Sequence, residues 1–248
     1  TTAFWGNPGS LNLKQSQYVE VTTYELGAAG GFSGAWVVPA GHYSSLGVAW
    51  NTHPIETFDR HELRAGLGIR PTENLSLGMI GIGQFYQDSL FMDFSLGAQY
   101  SLTDYLRGGL EVKQLTERLQ PMPDSLNFKS YGAGLIFYPF YRTNKKKFLL
   151  HVDWESRFIT LDEDRYTIGA SYALGPRENL RISSAISRID LDTLQPITSS
   201  VGIRVQEIFF SSLLSFHYTV NQLPVSGATA EPMRHQIGLG LQLYPSQD

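Results

Sequence analysis

Apolar residues occupy every second position along most of this chain. In the clearest run, the even positions of 148–154 are apolar, whereas the odd positions of 151–157 are polar or charged. The same alternation recurs at 90–100 and at 165–172, and helical periodicity is almost absent. Because successive side chains of a strand point to opposite faces, a period of two residues predicts β-strands from end to end.

The alternation predicts fourteen antiparallel strands, with twelve and sixteen as the alternatives. The strands are predicted at 17–25, 31–38, 43–52, 60–70, 74–86, 89–101, 105–116, 127–139, 147–159, 164–174, 179–190, 198–206, 208–221 and 234–244. Links after even-numbered strands are predicted to be short, and one of them falls at about Glu207. The longest links are predicted after odd-numbered strands, at 53–59, 117–126, 191–197 and 222–233. Outer-membrane barrels have short periplasmic turns and longer external loops, so this parity favours a barrel with a periplasmic N-terminus.

The second face of the predicted strands is rich in Gly, Ser and Ala. A soluble β-sandwich usually carries Lys, Glu and Thr there. The chain has 24 Gly and only 17% charged residues, and its mean hydropathy is −0.16. No stretch approaches the roughly 18 apolar residues of a membrane-spanning helix. We therefore predict an all-β transmembrane barrel, since a closed barrel needs apolar residues only on its outer face.

The alternation also predicts which charged side chains point into the barrel lumen. Twelve are expected there: Arg64, Arg70, Asp93, Arg107, Glu111, Lys113, Asp153, Glu155, Arg157, Arg165, Arg181 and Arg204. Both signs are present, with basic residues in excess. Two interpretations stay open, a salt-bridged network that crosses the lumen and an anion-selective constriction formed by the excess arginines.

The residues for catalysis or metal binding are sparse. The chain has no Cys, and its six His show no metal-ligand spacing and belong to no convincing Ser/His/Asp set. We predict no catalytic residues, no metal and no cofactor, and an outer-membrane hydrolase is the alternative that these residues favour least. The net charge of −4 argues against nucleic acid as a partner.

The last predicted strand carries a polar-x-Gly-x-x-apolar-x-apolar pattern at Gln236, Gly238, Leu241 and Leu243. This pattern resembles the C-terminal β-signal that the barrel-assembly machinery of Gram-negative bacteria reads. The resemblance implies that machinery as a partner during biogenesis and an outer-membrane location. The usual signal ends on a terminal aromatic residue, whereas here Tyr244 is followed by 245–248.

The N-terminal segment at 3–11 reads AFWGNPGSL, with Asn7 and Pro8 at its centre. It resembles the opening of FadL-like barrels, and within them the PorV/PorQ branch associated with type IX secretion. The segments at 75–78, 93–100 and 235–239 are similar to the same family. Gly9 stands where the family favours Ala. The resemblance implies a periplasmic or plug-like segment at 1–16, followed by a barrel at 17–248.

The same resemblance implies a non-enzymatic role. A PorV-like protein would be a component or adaptor of a secretion-type complex, surrounded by outer-membrane lipid and bound to secreted or other membrane proteins. The alternative is a FadL-like transporter or channel for small molecules. The charges expected in the lumen argue against an apolar binding pocket of the FadL type.

Overall fold

The chain forms a closed barrel of fourteen antiparallel strands in a computed structural model. The structure describes residues 7–13, 17–24, 31–55, 58–86, 89–113, 115, 130–139, 147–157, 163–175, 179–189, 198–209, 212–222 and 234–243. Each strand pairs with its neighbours in sequence, and the first strand pairs with the last. The predicted number of strands and the predicted fold class are confirmed.

A short 3-10 helix precedes the strands. We label it η1, Pro8–Leu13, and the strands are β1 Gln17–Tyr24, β2 Gly31–Pro39, β3 Ser44–Ile55, β4 Phe58–Ile69, β5 Leu75–Tyr86, β6 Ser89–Thr103, β7 Leu106–Lys113, β8 Ser130–Phe137, β9 Phe148–Arg157, β10 Glu163–Leu174, β11 Leu180–Ile189, β12 Thr198–Phe209, β13 Ser212–Gln222 and β14 Arg234–Leu243.

The outer surface of the barrel is apolar. Large side chains such as Met92, Leu110 and Ile168 are exposed there, the last with 62% of its surface accessible. No helix among the described residues is long and apolar enough to cross a membrane. A closed barrel satisfies all its backbone hydrogen bonds internally, so its apolar surface can face lipid. The chain is therefore an outer-membrane β-barrel of the kind found in Gram-negative bacteria.

Aromatic side chains mark the end of the barrel where the even-numbered strands finish. Tyr105 and Phe137 pack edge to face with ring centroids 6.3 Å apart, and Phe148 and Tyr172 lie 6.4 Å apart. Tyr43, at the same end, is 71% exposed. Aromatic rings favour the boundary between lipid and water because they are apolar in body and partly polar at the edge.

The predicted loop at 53–59 is wrong, because β3 and β4 continue to Ile55 and Phe58 and leave only residues 56–57 between them. A second two-residue link, 87–88, joins β5 to β6. β3 continues here beyond Thr52, its last residue with a described partner in β2, which is Phe32. Pro54 therefore removes no hydrogen bond from the described part of the β2–β3 ladder.

The predicted turn at Glu207 is also wrong. Glu207 lies within β12 and is paired with Leu214 of β13, and the link between the two strands is at 210–211. The side chain of Glu207 is exposed near the end of the strand. A charge is tolerated there because the strand end lies close to the membrane boundary, where the cost of a charged side chain falls.

The interior of the barrel is more tightly packed on one side than on the other. Leu11 of η1 is 2% exposed and belongs to a buried cluster with inward residues of β1 to β5. The cluster comprises Leu11, Tyr18, Ala35, Val37, Ala49, Ile80 and Ile82. The inward faces of β7 to β13 carry mainly small, polar and charged side chains instead. This asymmetry leaves a polar half of the lumen opposite a packed half.

Candidate functional site in the lumen

Asn7 and Pro8 lie in a seat made by glycines of three adjacent strands. A Cβ at Gly78 would collide with the Pro8 carbonyl, and a Cβ at Gly97 or Gly109 would collide with the side chain of Asn7. We call Gly78, Gly97 and Gly109 the glycine seat. Because glycine has no side chain, a second backbone segment can approach the strands closely only at such positions.

Hydrogen bonds from Asn7 hold this segment against β6 and β7. Its Nδ2 donates to the carbonyl oxygens of Ala98 and Leu110, each at 3.0 Å. Its Oδ1 accepts from the backbone N–H of Gly9 at 2.8 Å. The side chain of Asn7 therefore joins two strands to the start of η1, and an aliphatic residue could make none of these bonds.

The rest of η1 is bound through its backbone. Ser45 Oγ donates to the carbonyl of Leu11 at 2.9 Å, and Ser76 Oγ donates to the carbonyl of Gly9 at 2.6 Å. A Cβ at Gly9 would lie 2.9 Å from the backbone carbon of Ala98. Glycine at position 9 therefore allows η1 to lie close to the backbone of β6.

Beside η1 lies a cavity of about 560 Å³ in the polar half of the lumen. Asn7 and Ser10 line it on one side, and inward side chains of β7 to β10 line it on the other. η1 itself packs against β3 to β7, most extensively against β5. η1 thus fills the side of the lumen next to β3 to β7, and space remains between η1 and the inner faces of β7 to β10.

Glycines widen this cavity by letting side chains of neighbouring strands lie flat against the wall. A Cβ at each of these glycines would collide with the side chain that covers it. Glu111 covers Gly132, Asp153 covers Gly134, and His151 covers Gly169. The cavity therefore has charged walls, yet its charged groups do not project across it.

Glu111 and Glu155, which both line the cavity, belong to an ion-pair network. Lys113 Nζ lies 2.9 Å from Glu111 Oε1 and 3.5 Å from Glu155 Oε1. His151 Nε2 lies 3.9 Å from Asp153 Oδ2. These groups match the salt-bridged interpretation of the lumen charges. Within the described part of the chain, no three His, Asp or Glu side chains are placed to hold a metal ion.

The register places ten of the twelve predicted lumen charges on the inner face of the barrel. These are Arg64, Asp93, Arg107, Glu111, Lys113, Asp153, Glu155, Arg165, Arg181 and Arg204. The backbone of Arg157 ends β9, and its side chain lies outside the described residues.

Arg70 is the exception, because β4 ends at Ile69 and Arg70 lies in the following turn. Its backbone N–H donates to the carbonyl of Tyr43 at 2.7 Å, and its Nη2 donates to the carbonyl of Glu73 at 2.5 Å. The prediction that Arg70 lines the lumen is therefore wrong. The alternation of β4 was extended one residue too far, past the point where the strand ends.

Solved structures share this architecture. No protein-family model matches the sequence, and no curated protein is similar enough in sequence to match. The fold is that of an outer-membrane β-barrel. The CymD monoaromatic hydrocarbon channel has a TM-score of 0.68 at 12% identity, over 97% of this chain and 91% of that one. The toluene transporter TodX of Pseudomonas putida has a TM-score of 0.61 at 12% identity, over 98% and 92%. The outer membrane protein Omp33 of Acinetobacter baumannii has a TM-score of 0.55 at 9% identity, over 94% and 100%.

The barrel also contains buried carboxylates that the sequence analysis missed. Glu62, only 3% exposed, pairs with Arg64 and accepts a hydrogen bond from Gln84 Nε2 at 3.4 Å. Glu20 accepts hydrogen bonds from the hydroxyls of Tyr18 and Thr22. Both could have been found from the alternation. Glu62 lies two residues before Arg64 and Glu20 two residues after Tyr18, so each shares a strand face with a residue that points inward.

The predicted assembly signal lies on β14, and its polar and apolar residues point to opposite faces of the strand, as the pattern implies. Gln236 and Gly238 are on the lumen side, whereas Leu241 and Leu243 face outward. A Cβ at Gly238 would collide with the ring of His217, whose Nε2 lies 3.9 Å from Glu20 Oε1. Recognition of this strand by the assembly machinery stays a prediction. In the folded barrel, Gly238 makes room for contacts between β13 and β1.

Proposed function

We propose that this chain is an outer-membrane channel for small polar molecules, which pass between η1 and the polar half of the lumen. The observation that carries the proposal is the cavity of about 560 Å³ beside η1. Its volume is within the roughly 300–1,000 Å³ that is usual for small-molecule sites. The architecture shared with a hydrocarbon channel and a toluene transporter favours a channel over an adaptor.

The chemistry of the wall favours a polar solute over a hydrocarbon. Arg107, Glu111, Asp153, Glu155 and Arg165 all line the cavity. An apolar molecule in this space would displace water from charged groups without replacing its hydrogen bonds, and such desolvation is costly. A solute with its own hydrogen-bonding groups avoids this cost.

The second candidate is the adaptor role that the PorV-like resemblance implies. Its support is the segment that carries the resemblance, because Asn7 and Pro8 lie in the glycine seat and hydrogen-bond to β6 and β7. In that role the lumen is a structural core. Secreted proteins or other membrane proteins would then bind the external rim or the lipid-facing wall, as part of a type IX secretion-like complex.

Conductance in planar lipid bilayers separates the two functions. We expect the intact barrel to give steady single-channel currents, and we expect larger currents from a variant that lacks residues 1–16. Asn7→Ala provides a milder version of the deletion, because it removes the hydrogen bonds to Ala98 and Leu110. Each protein is first checked for folding by its different gel mobility before and after boiling.

Each result has a definite meaning. If neither the folded intact protein nor either variant gives a current, the result would contradict the channel function and favour the adaptor function. If the intact protein gives no current but the variant that lacks residues 1–16 does, then η1 closes the lumen completely until it moves.

A further inference from the structure

Two arginines face each other on neighbouring strands of the open lumen wall. Arg181 of β11 and Arg204 of β12 are direct partners in the strand register, and both lie on the inner face. Directly opposed residues of antiparallel strands have Cβ atoms roughly 4.5–5.5 Å apart, and like charges there repel. Such a pair is unfavourable unless negative charge lies close by.

The described surroundings supply no carboxylate in direct contact with either arginine. Arg181 Nη1 donates to the hydroxyl of Ser171 at 3.0 Å, a neutral acceptor. Among the residues that the structure describes, no carboxylate lies within ion-pair distance of either Arg181 or Arg204. Arg64 and Lys113 differ in this respect, since both are paired with glutamates. Arg181 and Arg204 are therefore distinct from the salt-bridged part of the lumen.

The nearest glutamate along this row of inward residues is engaged elsewhere. The row continues from Arg204 through His217 of β13 to Gly238 of β14 and then to β1. Glu20 of β1 already accepts hydrogen bonds from Tyr18 and Thr22, and it lies 3.9 Å from His217. Both carboxylate oxygens of Glu20 therefore have partners other than the arginines, and Arg204 acts electrostatically on Tyr18 and His217 beside it.

The next row of the wall offers space and hydroxyl groups. It contains Ser183, Gly202 and Thr219 on β11, β12 and β13. The hydroxyl oxygens of Ser183 and Thr219 lie 2.8 Å and 3.1 Å from the position that a Cβ at Gly202 would occupy. No large side chain covers the arginines from this row. The hydroxyl of Thr219 can donate to an oxyanion, whereas that of Ser183 donates to the carbonyl of Gly202 at 3.3 Å.

The position of the pair relative to η1 matters for access. β11 and β12 lie half-way round the fourteen-strand barrel from β4 and β5. η1 packs against β4 and β5. The arginines are therefore across the lumen from η1, on the side that it leaves open, and Arg204 is exposed.

We propose that Arg181 and Arg204 form a binding site for the oxyanion group of a small solute, such as a phosphate or a carboxylate. Two guanidinium groups provide paired donors with the planar geometry that oxyanions favour. The site itself is independent of conduction. Its further consequence, that the channel prefers anionic solutes, rests on the proposed function.

Binding is tested without any requirement for transport. Inorganic phosphate is titrated with the detergent-purified full-length barrel, and the width of its phosphorus NMR signal is measured. We expect the wild type to broaden the signal and the double variant Arg181→Gln/Arg204→Gln to abolish the broadening. Arg181→Lys/Arg204→Lys should retain part of it, because the charge remains. Arg70→Gln is the matched control, since it neutralises an arginine in a turn outside the lumen wall.

Selectivity is tested by reversal potentials in a potassium chloride gradient. We expect chloride to permeate better than potassium, and each single Gln variant to lower the permeability ratio about two- to fivefold, with Arg70→Gln unchanged. If the wild type does not broaden the phosphate signal, or the double Gln variant broadens it equally, the anion site is wrong. If phosphate binds at the arginines but no barrel conducts, the site stands and the proposed channel fails.

Discussion

At the scale of single residues, glycines decide where other groups can lie in this lumen. Pro8 packs against Gly78, Glu111 against Gly132, and His151 against Gly169. Alternation alone indicates that these glycines face inward, but it cannot indicate which group covers each one. That depends on the register between strands and on the position of η1, and both are properties of the closed barrel.

The glycine seat makes a prediction for Gly78. We expect Gly78→Ala to destabilise the barrel by about 1–3 kcal/mol, the usual cost of overpacking, because the new Cβ would meet the Pro8 backbone, which cannot rotate away. Urea unfolding in lipid vesicles measures the free energy of unfolding. Gly81→Ala is the control on the same strand, since its Cβ would meet only the Phe94 ring and a carbonyl at ordinary contact distances of 3.8 Å and 3.9 Å. If both variants lose the same free energy of unfolding, the contact between the glycine seat and Pro8 is not the cause of the loss.

At the scale of strands, the hydrophobic pattern was sufficient for the number of strands and for their faces. It failed where the end of a strand depends on its neighbours. Pro54 lies within β3 at a position without a described partner in β2, and Arg70 leaves the wall because β4 stops at Ile69. Neither boundary can be derived from one strand alone, since each depends on how far the adjacent strand extends.

The two faces of β9 allow a direct test of strand orientation. Val152 is 51% exposed on the outer face, and Asp153 lies on the lumen face beside the cavity. We expect Val152→Arg to cost roughly 2–4 kcal/mol of unfolding free energy in lipid, because arginine is unfavourable near the middle of the membrane. Asp153→Arg should avoid that cost, since the lumen contains water.

Spin labels at the same two positions provide the independent measurement. A lipid-soluble quencher should reach a label at 152 much better than a label at 153. Equal access at both positions would contradict the strand register. Equal stability of the two arginine variants would contradict the assignment of the outer face to lipid.

At the scale of the whole molecule, the barrel combines a packed half with a polar half. Ten of the expected lumen charges lie on the inner face in the strand register, but alternation along single strands cannot indicate which of them pair with each other. Lys113 bridges Glu111 and Glu155 on two strands that are separated by β8, whereas Arg181 and Arg204 oppose each other with no carboxylate of the described residues within ion-pair distance. The division arises from the pairing of strands, because the register can bring a charge two strands away within ion-pair distance, as it does for Glu155 and Lys113.

The closure of the barrel depends on the pairing of β1 with β14, where Gly238 leaves room for the ring of His217 and for Thr22. We expect Gly238→Val to weaken this seam by about 1–3 kcal/mol through overpacking, since the added side chain would collide with the ring. An open seam would leave two unpaired strand edges in lipid, where unsatisfied backbone groups are costly. The readout is the fraction of protein that migrates as the folded form on unboiled gels, together with the urea midpoint.

A second substitution distinguishes a steric effect at the seam from a general loss of strand stability. His217→Ala removes the ring that the new side chain would meet, so the double variant His217→Ala/Gly238→Val should recover part of the folded fraction. Thr22 Oγ1, 2.8 Å from the position of the Cβ, should limit the recovery. Gly34→Ala is the control, because its Cβ would lie 3.8 Å from the nearest atom, the Glu20 carbonyl oxygen. If the double variant is no better folded than Gly238→Val alone, the seam does not depend on the fit of His217 over Gly238, and β14 tolerates no side chain at this position for another reason.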